Sequence, residues 1–123
     1  MTHNPGFLKL VEQAKRNIRE CTAADVKAKM DRGETFQFID VREDQEFAKD
    51  HAKGAVHLGR GIIERDIETK VPEKHADIVL YCGGGFRSAL AADNLRLMGY
   101  THVVSMDGGI RAWREARYPV ERG

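Results

Sequence analysis

The stretch Cys82-Gly83-Gly84-Gly85-Phe86-Arg87-Ser88 holds the residue types of this chain best suited to chemistry. A thiolate is a strong nucleophile and a thiol a weak one, so the neighbours of Cys82 decide whether it reacts. Three successive glycines open backbone angles closed to other residues, which lets several N–H groups turn toward one point. A helix starting just beyond them adds its positive end and its unpaired amides. Arg87 places a permanent cation near the same helix start. Each feature favours negative charge on sulfur. Together they predict a Cys82 thiolate in a cradle of Gly83, Gly84, Gly85, Phe86 and Arg87, with Ser88 in position to hydrogen-bond the sulfur. The same cradle suits an anion bound to that sulfur or formed on it. Alone, a cysteine after a strand is more often a small buried hydrophobe, and a glycine triplet more often a turn; the combination sets this stretch apart. A nucleotide P-loop is disfavoured, because GxxxxGK[ST] is absent.

The flanking sequence supplies elements that can hold such a loop. Asp77 to Tyr81, DIVLY, is a continuous apolar run of the kind found in strands buried on both faces. It delivers Cys82 to a sheet edge, and a helix is expected from Ser88 to Met98, stopped by Gly99. Upstream, residues 7–17 place Phe7, Leu10, Val11 and Ala14 at helical spacing behind Pro5 and Gly6. Thr22 and Asp25 form a capping-box variant for a helix through Arg32, closed by Gly33. Further strands are expected at residues 35–41, 55–58 and 103–106. Further helices are expected at 44–49, 62–69 and 110–117. Strands alternating with helices predict a doubly wound α/β domain whose parallel sheet is covered on both faces. Ligands of such sheets bind outside the carboxyl ends of the strands, where Cys82 lies.

Bulk properties narrow the function. The chain has 123 residues, a single domain by length. Its 20 basic and 19 acidic residues leave a formal charge of +1, which gives no sign of a nucleic-acid or membrane-binding surface. No apolar run is long enough to span a bilayer, and the mixed-charge N-terminus lacks an apolar signal core, so a cytoplasmic location is the expectation. Cys21 and Cys82, the two cysteines, make no disulfide framework and no metal-ligand pattern, and both are expected as free thiols.

At these residues the chain resembles the rhodanese family, whose active-site loop is Cys-x-x-x-x-Arg, matched here from Cys82 to Arg87. Asp40-Val41-Arg42 is similar to the family's Asp-Val-Arg. Glu46-Phe47 followed by His51-Ala52-Lys53-Gly54-Ala55-Val56-His57 resembles its Glu-Phe…Gly-His-Ile-Pro-Gly-Ala stretch, with Lys53 replacing the proline. Asp107-Gly108-Gly109-Ile110 through Trp113 resembles its Gly-Gly-x-x-x-Trp segment. The resemblance covers roughly residues 18 to 119, and it divides the chain into an N-terminal helical extension (1–17) and a rhodanese-like domain (18–123). It implies a central parallel sheet of about five strands. It also implies ping-pong sulfur transfer: Cys82 takes the sulfane sulfur of a donor such as thiosulfate or a persulfide, carries it as a persulfide, and yields it to a thiol or cyanide. No external cofactor or metal is implied. The Gly83–Phe86 loop brings no charge of its own, so a protein or low-molecular-weight persulfide is as good a donor as thiosulfate. Phosphatase relatives of this fold resemble Cys-x5-Arg, one residue longer, which leaves phosphatase or arsenate reductase activity a minor alternative. A non-catalytic persulfide-sensing or protein-binding module is the alternative of a different class.

Other residues read as structural. Asp40 and Arg42 form an acid–base pair at a strand end. His51 and His57 are surface or packing residues. Trp113 is a core anchor beside Ile110, and Cys21 is structural or idle. The oligomeric state is open at this level.

Overall fold

The computed structural model describes residues 3–123; residues 1 and 2 of the N-terminal extension lie outside them. Helix α1 (Pro5–Lys15) carries proline in its first turn, where a missing N–H is harmless. A short strand β1 (Arg19–Cys21) leads into α2 (Ala23–Asp31), whose Thr22 and Asp25 exchange backbone and side-chain bonds as a capping box. There follow β2 (Gln37–Asp40), α3 (Asp44–Lys49), β3 (His51–Ala52), β4 (Val56–His57) and α4 (Ile63–Lys70). The second half runs β5 (Ile78–Tyr81), α5 (Phe86–Leu97), β6 (Val103–Met106), α6 (Gly109–Glu115) and β7 (Val120–Glu121).

Five strands form one parallel sheet in the order β1-β6-β5-β2-β4, which is the expected architecture. Strand β5 is central: Ile39 of β2 lies opposite Leu80 on one side, and Ser105 of β6 lies opposite it on the other. Side chains alternate across a strand. Ile78 and Leu80 therefore join Ile63, Ile67, Ala92 and Leu95 of α4 and α5 in one core layer. Val79 and Tyr81 join Val26, Met106, Ile110 and Trp113 in the layer under α2 and α6. Cys82 continues the alternation into the first layer, so the strand itself aims the sulfur toward α5.

Four elements differ from the sequence reading. Strand β1 was not expected: its residues are polar and largely exposed, and pairing with β6 recruits them. Strands β3 and β7 form a separate two-stranded antiparallel ladder, too short to leave a periodic pattern. Helix α5 starts at Phe86 instead of Ser88, because Gly85 adopts φ +105° and turns the chain straight into the first helical residue. Helix α1 packs along α5. No helix of the described residues is long and apolar enough to cross a membrane.

At the end of β2, Asp40 is wholly buried and Arg42 is 4% exposed. The Arg42 guanidinium donates Nε and Nη2 to the Asp40 carboxylate at 2.8–3.1 Å, and Nη2 also donates to the Asp50 carbonyl at 2.6 Å. Removing one member of a buried pair strands the other charge, which typically costs about 3–5 kcal/mol. Asp40→Ala is therefore expected to lower the unfolding free energy by about that amount in urea titrations. A loss below about 1 kcal/mol, the level of exposed pairs, would contradict this account of the β2 terminus.

Candidate active site

The sulfur of Cys82 lies at the carboxyl end of β5, on the floor of a cavity of about 730 Å³. Two amides and a hydroxyl meet there. The Gly85 amide donates to Sγ at 3.2 Å, the Ser88 amide at 3.4 Å, and the Ser88 hydroxyl lies 3.5 Å away. Behind it, the Ser88 and Ser105 hydroxyls bond each other at 2.8 Å, both wholly buried. With a thiol, the S–H donates to Ser88 Oγ. With a thiolate, the Ser88 hydroxyl can turn and donate to sulfur while Ser105 donates to it in turn, so the chain serves either protonation state.

Why the amides face the sulfur is a question of where the loop's carbonyls go. The start of α6 answers it. Gly108 N–H donates to the Gly84 carbonyl at 3.1 Å, Ile110 N–H to the Cys82 carbonyl at 2.9 Å, and Arg111 N–H to the Gly83 carbonyl at 3.2 Å. In a trans peptide the N–H points opposite its C=O. Fixing three consecutive carbonyls against α6 therefore turns the Gly83, Gly84 and Gly85 amides the other way, and the Gly85 amide is found on Sγ. The amides of Gly83, Gly84, Phe86 and Arg87 have no acceptor among the described residues. The close approach demands glycine at Gly109: at φ +52°, a Cβ there would meet the Cys82 carbonyl oxygen and stand 2.7 Å from the Gly83 carbonyl group.

Arg87 departs from the expectation of a lone cation beside the sulfur. Its Nη1 and Nη2 bind Glu46 of α3 at 2.8 and 3.3 Å, a fork that crosses Gly83 and ties the loop to α3. The bond to Arg87 holds the Glu46 carboxyl below its usual range, and the same bond raises the Arg87 pKa against the effect of burial. Phe86 also divides its parts: its amide opens α5, while its ring packs with His3 and Phe7 of the N-terminal segment at centroid distances of 4.9 and 6.1 Å. The loop residues named from sequence thus come together. Cys82, Gly83, Gly84, Phe86 and Arg87 line the cavity; Gly85 and Ser88 hydrogen-bond the sulfur.

Several contributors were not read from the sequence. Glu46 and the Gly108–Arg111 turn stood there as motif residues without a role. Ser105, a lone hydroxyl in the strand VVSM, was a legible signal. His3, Phe7, Arg111 and Arg114 reach the cavity from other parts of the chain and carried no local signal. His51 stacks on Phe47 at 3.8 Å and His57 bonds the Arg42 carbonyl at 2.7 Å, and neither lines the cavity.

The family model described as rhodanese-like domain matches residues 22–116. Thiosulfate sulfurtransferase PspE of Escherichia coli is 35% identical over 71 residues, 58% of this chain and 68% of PspE. YrkF of Bacillus subtilis is 31% identical over 79% of this chain, which spans only about half (51%) of its length. Among solved structures, RPA3614 of Rhodopseudomonas palustris superposes with a TM-score of 0.84 at 32% identity, covering 98% of both chains. That protein is described as of unknown function and a possible tyrosine phosphatase.

Burial, aided by the negative charges of Asp25 and Glu20, pushes Cys21 up to about 11. In Cys82→Ser, alkylation of Cys21 by iodoacetamide, followed by intact mass, should therefore still accelerate above pH 10, with its midpoint near 11. A profile levelling off near 9 would contradict that environment.

Proposed function

Because this chain belongs to the rhodanese-like family, we propose that it is a sulfurtransferase in which Cys82 receives a sulfane sulfur from a donor and carries it to a thiophilic acceptor. One observation carries the reading: the Cys82 sulfur sits beneath two donating amides and a hydroxyl, beside amides with no acceptor among the described residues, at the floor of an open cavity. Oriented donors in a site shielded from water stabilise negative charge better than water does, and need no reorganisation when charge arrives.

The chemistry follows as two displacements on one nucleophile. The Cys82 thiolate attacks the outer sulfur of thiosulfate or of a persulfide. The donor's S–S bond breaks, its electron pair leaves with sulfite or with a thiolate, and Cys82 holds the sulfur as a persulfide anion. An acceptor thiolate or cyanide then attacks the outer sulfur, and Cys82 departs as thiolate. The terminal sulfur of the intermediate carries the charge, one bond further out than the original thiolate. The amides of Gly83, Gly84, Phe86 and Arg87 are the donors left to receive it. Both the leaving group and the carrier are the same Cys82 sulfur, so the Gly85 and Ser88 donors assist both halves.

Against a phosphatase, four residues separate Cys82 from Arg87, and the Arg87 guanidinium is held by Glu46 instead of standing open to a phosphate. Against a non-catalytic module, a purely structural copy needs neither a cradled sulfur nor unpartnered amides.

Intact mass after incubation with thiosulfate and, separately, with a low-molecular-weight persulfide tests the reading. Wild type and Cys21→Ser should gain one sulfur, removable by cyanide, and Cys82→Ser should gain none. Labelling that persists in Cys82→Ser would move the chemistry elsewhere, and hydrolysis of p-nitrophenyl phosphate without sulfur uptake would favour the phosphatase.

A further inference from the structure

We propose, resting on that sulfur-transfer reading, that Glu46 is the residue that sets donor choice. Its carboxylate turns away compact anionic donors such as thiosulfate and leaves the cavity to organic persulfides, in which the transferred sulfur is attached to an uncharged R–S group.

Among the described residues, Glu46 is the only carboxylate lining the cavity that holds Cys82. Its position is fixed twice. As the third residue of α3 it accepts the Glu43 amide at 3.0 Å, closing a capping box, and it forks the Arg87 guanidinium at 2.8 and 3.3 Å. The bond to Arg87 also holds the carboxyl below its usual range, which keeps it an anion at neutral pH. A negative charge therefore stands permanently at the wall of a cavity that must admit sulfur donors.

The cations around the cavity do not cancel that effect for every donor. Arg42 is bound by Asp40, Arg87 by Glu46, and Arg114 by Asp50. Arg87 is the guanidinium on which the charges of Cys82 and Glu46 both act. A donor that needs Arg87 for its own anionic group must displace Glu46 and then stand against its charge. Arg111 has no carboxylate partner among the described residues and attracts anionic donors of every kind, so it does not discriminate between them.

Donor chemistry turns this arrangement into selectivity. In thiosulfate the transferred sulfur is bonded directly to the sulfonate, so its charged oxygens arrive immediately behind the sulfur that meets Cys82. The Glu46 side chain is only 34% exposed, and solvent screens its repulsion only in part. In an organic persulfide the corresponding place is taken by a neutral sulfur, and any charged group lies several bonds away. The step balances as one displacement. The Cys82 thiolate attacks the outer sulfur of R–S–SH, a Cys82–S bond forms, and the donor S–S bond breaks with its electron pair leaving as R–S⁻. The outer sulfur keeps its proton until solvent takes it.

The test follows sulfur uptake by full-length protein from thiosulfate, methanethiosulfonate and glutathione persulfide, using intact mass. Methanethiosulfonate replaces one thiosulfate oxygen by a methyl group and so carries one charge fewer at similar size. Each rate constant is divided by that of the same donor with free 2-mercaptoethanol, which removes intrinsic reactivity. Wild type should then favour glutathione persulfide, next methanethiosulfonate, and thiosulfate least. Glu46→Gln should raise the ratio of thiosulfate to methanethiosulfonate about fivefold, the factor expected of one exposed charge pair at the top of its usual range. Glu46→Asp keeps the charge and should keep the wild-type order. Loss of a merely structural residue would slow all three donors together and leave the ratios fixed. Because each readout is a ratio within one protein sample, partial misfolding does not imitate it. Ratios unchanged in Glu46→Gln would overturn the proposal alone, and so would wild-type protein that takes thiosulfate as readily as glutathione persulfide. Failure of Cys82 to take up sulfur from any donor would overturn the sulfur-transfer reading and the proposal with it.

Discussion

Everything at this site hangs on three hydrogen bonds from the start of α6 to the carbonyls of Cys82, Gly83 and Gly84. A glycine-rich loop on its own has no reason to point its amides at one sulfur, since glycine's freedom makes many orientations accessible. Holding three successive carbonyls to one side removes that freedom and leaves the amides on the other. The positive-φ glycines at 85, 108 and 109 let the two turns approach closely enough for those bonds to form. The site is therefore assembled by β6–α6 acting on β5–α5. Neither turn could build it alone.

The same logic explains why the arginines around the sulfur are mostly neutralised. Cys82 is 1% exposed, and gathering several free guanidinium groups beside it would carry a large desolvation and repulsion cost. Asp40, Glu46 and Asp50 each take one. In exchange these pairs fasten the loops: Arg42 spans β2 to the end of α3, and Arg87 ties α5 to α3. What remains for the sulfur is a field of fixed dipoles, which requires no buried net charge.

Much of this was legible in the sequence, for definite reasons. The apolar run DIVLY marked a strand buried on both faces that delivers Cys82 to the sheet edge, though a run apolar on both faces could not say which layer the sulfur enters. The loop from Cys82 to Ser88 announced itself because its residue types are improbable together, and the structure gathers them around one sulfur and the cavity above it. The unread parts are those with no local signature. Strands β1, β3 and β7 exist through partners distant in sequence. Glu46 reaches Arg87 across 41 positions, and Phe7 reaches Phe86 only because α1 lies along α5. In the sequence Asp107-Gly108-Gly109 is a motif without a role, because the three backbone bonds that give it its purpose are invisible in side-chain pattern.

The central claim is that unpartnered loop amides receive the charge of a sulfur carried on Cys82, and amide chemical shifts test it most directly. In ¹⁵N-labelled protein loaded with sulfur and verified by mass, the amide protons of Gly83, Gly84, Phe86 and Arg87 should move downfield as they gain an anionic acceptor. They should return on reduction, while Ile78 to Leu80 in the strand stay in place. Stoichiometric loading of Cys82 with those four resonances unmoved would contradict the account.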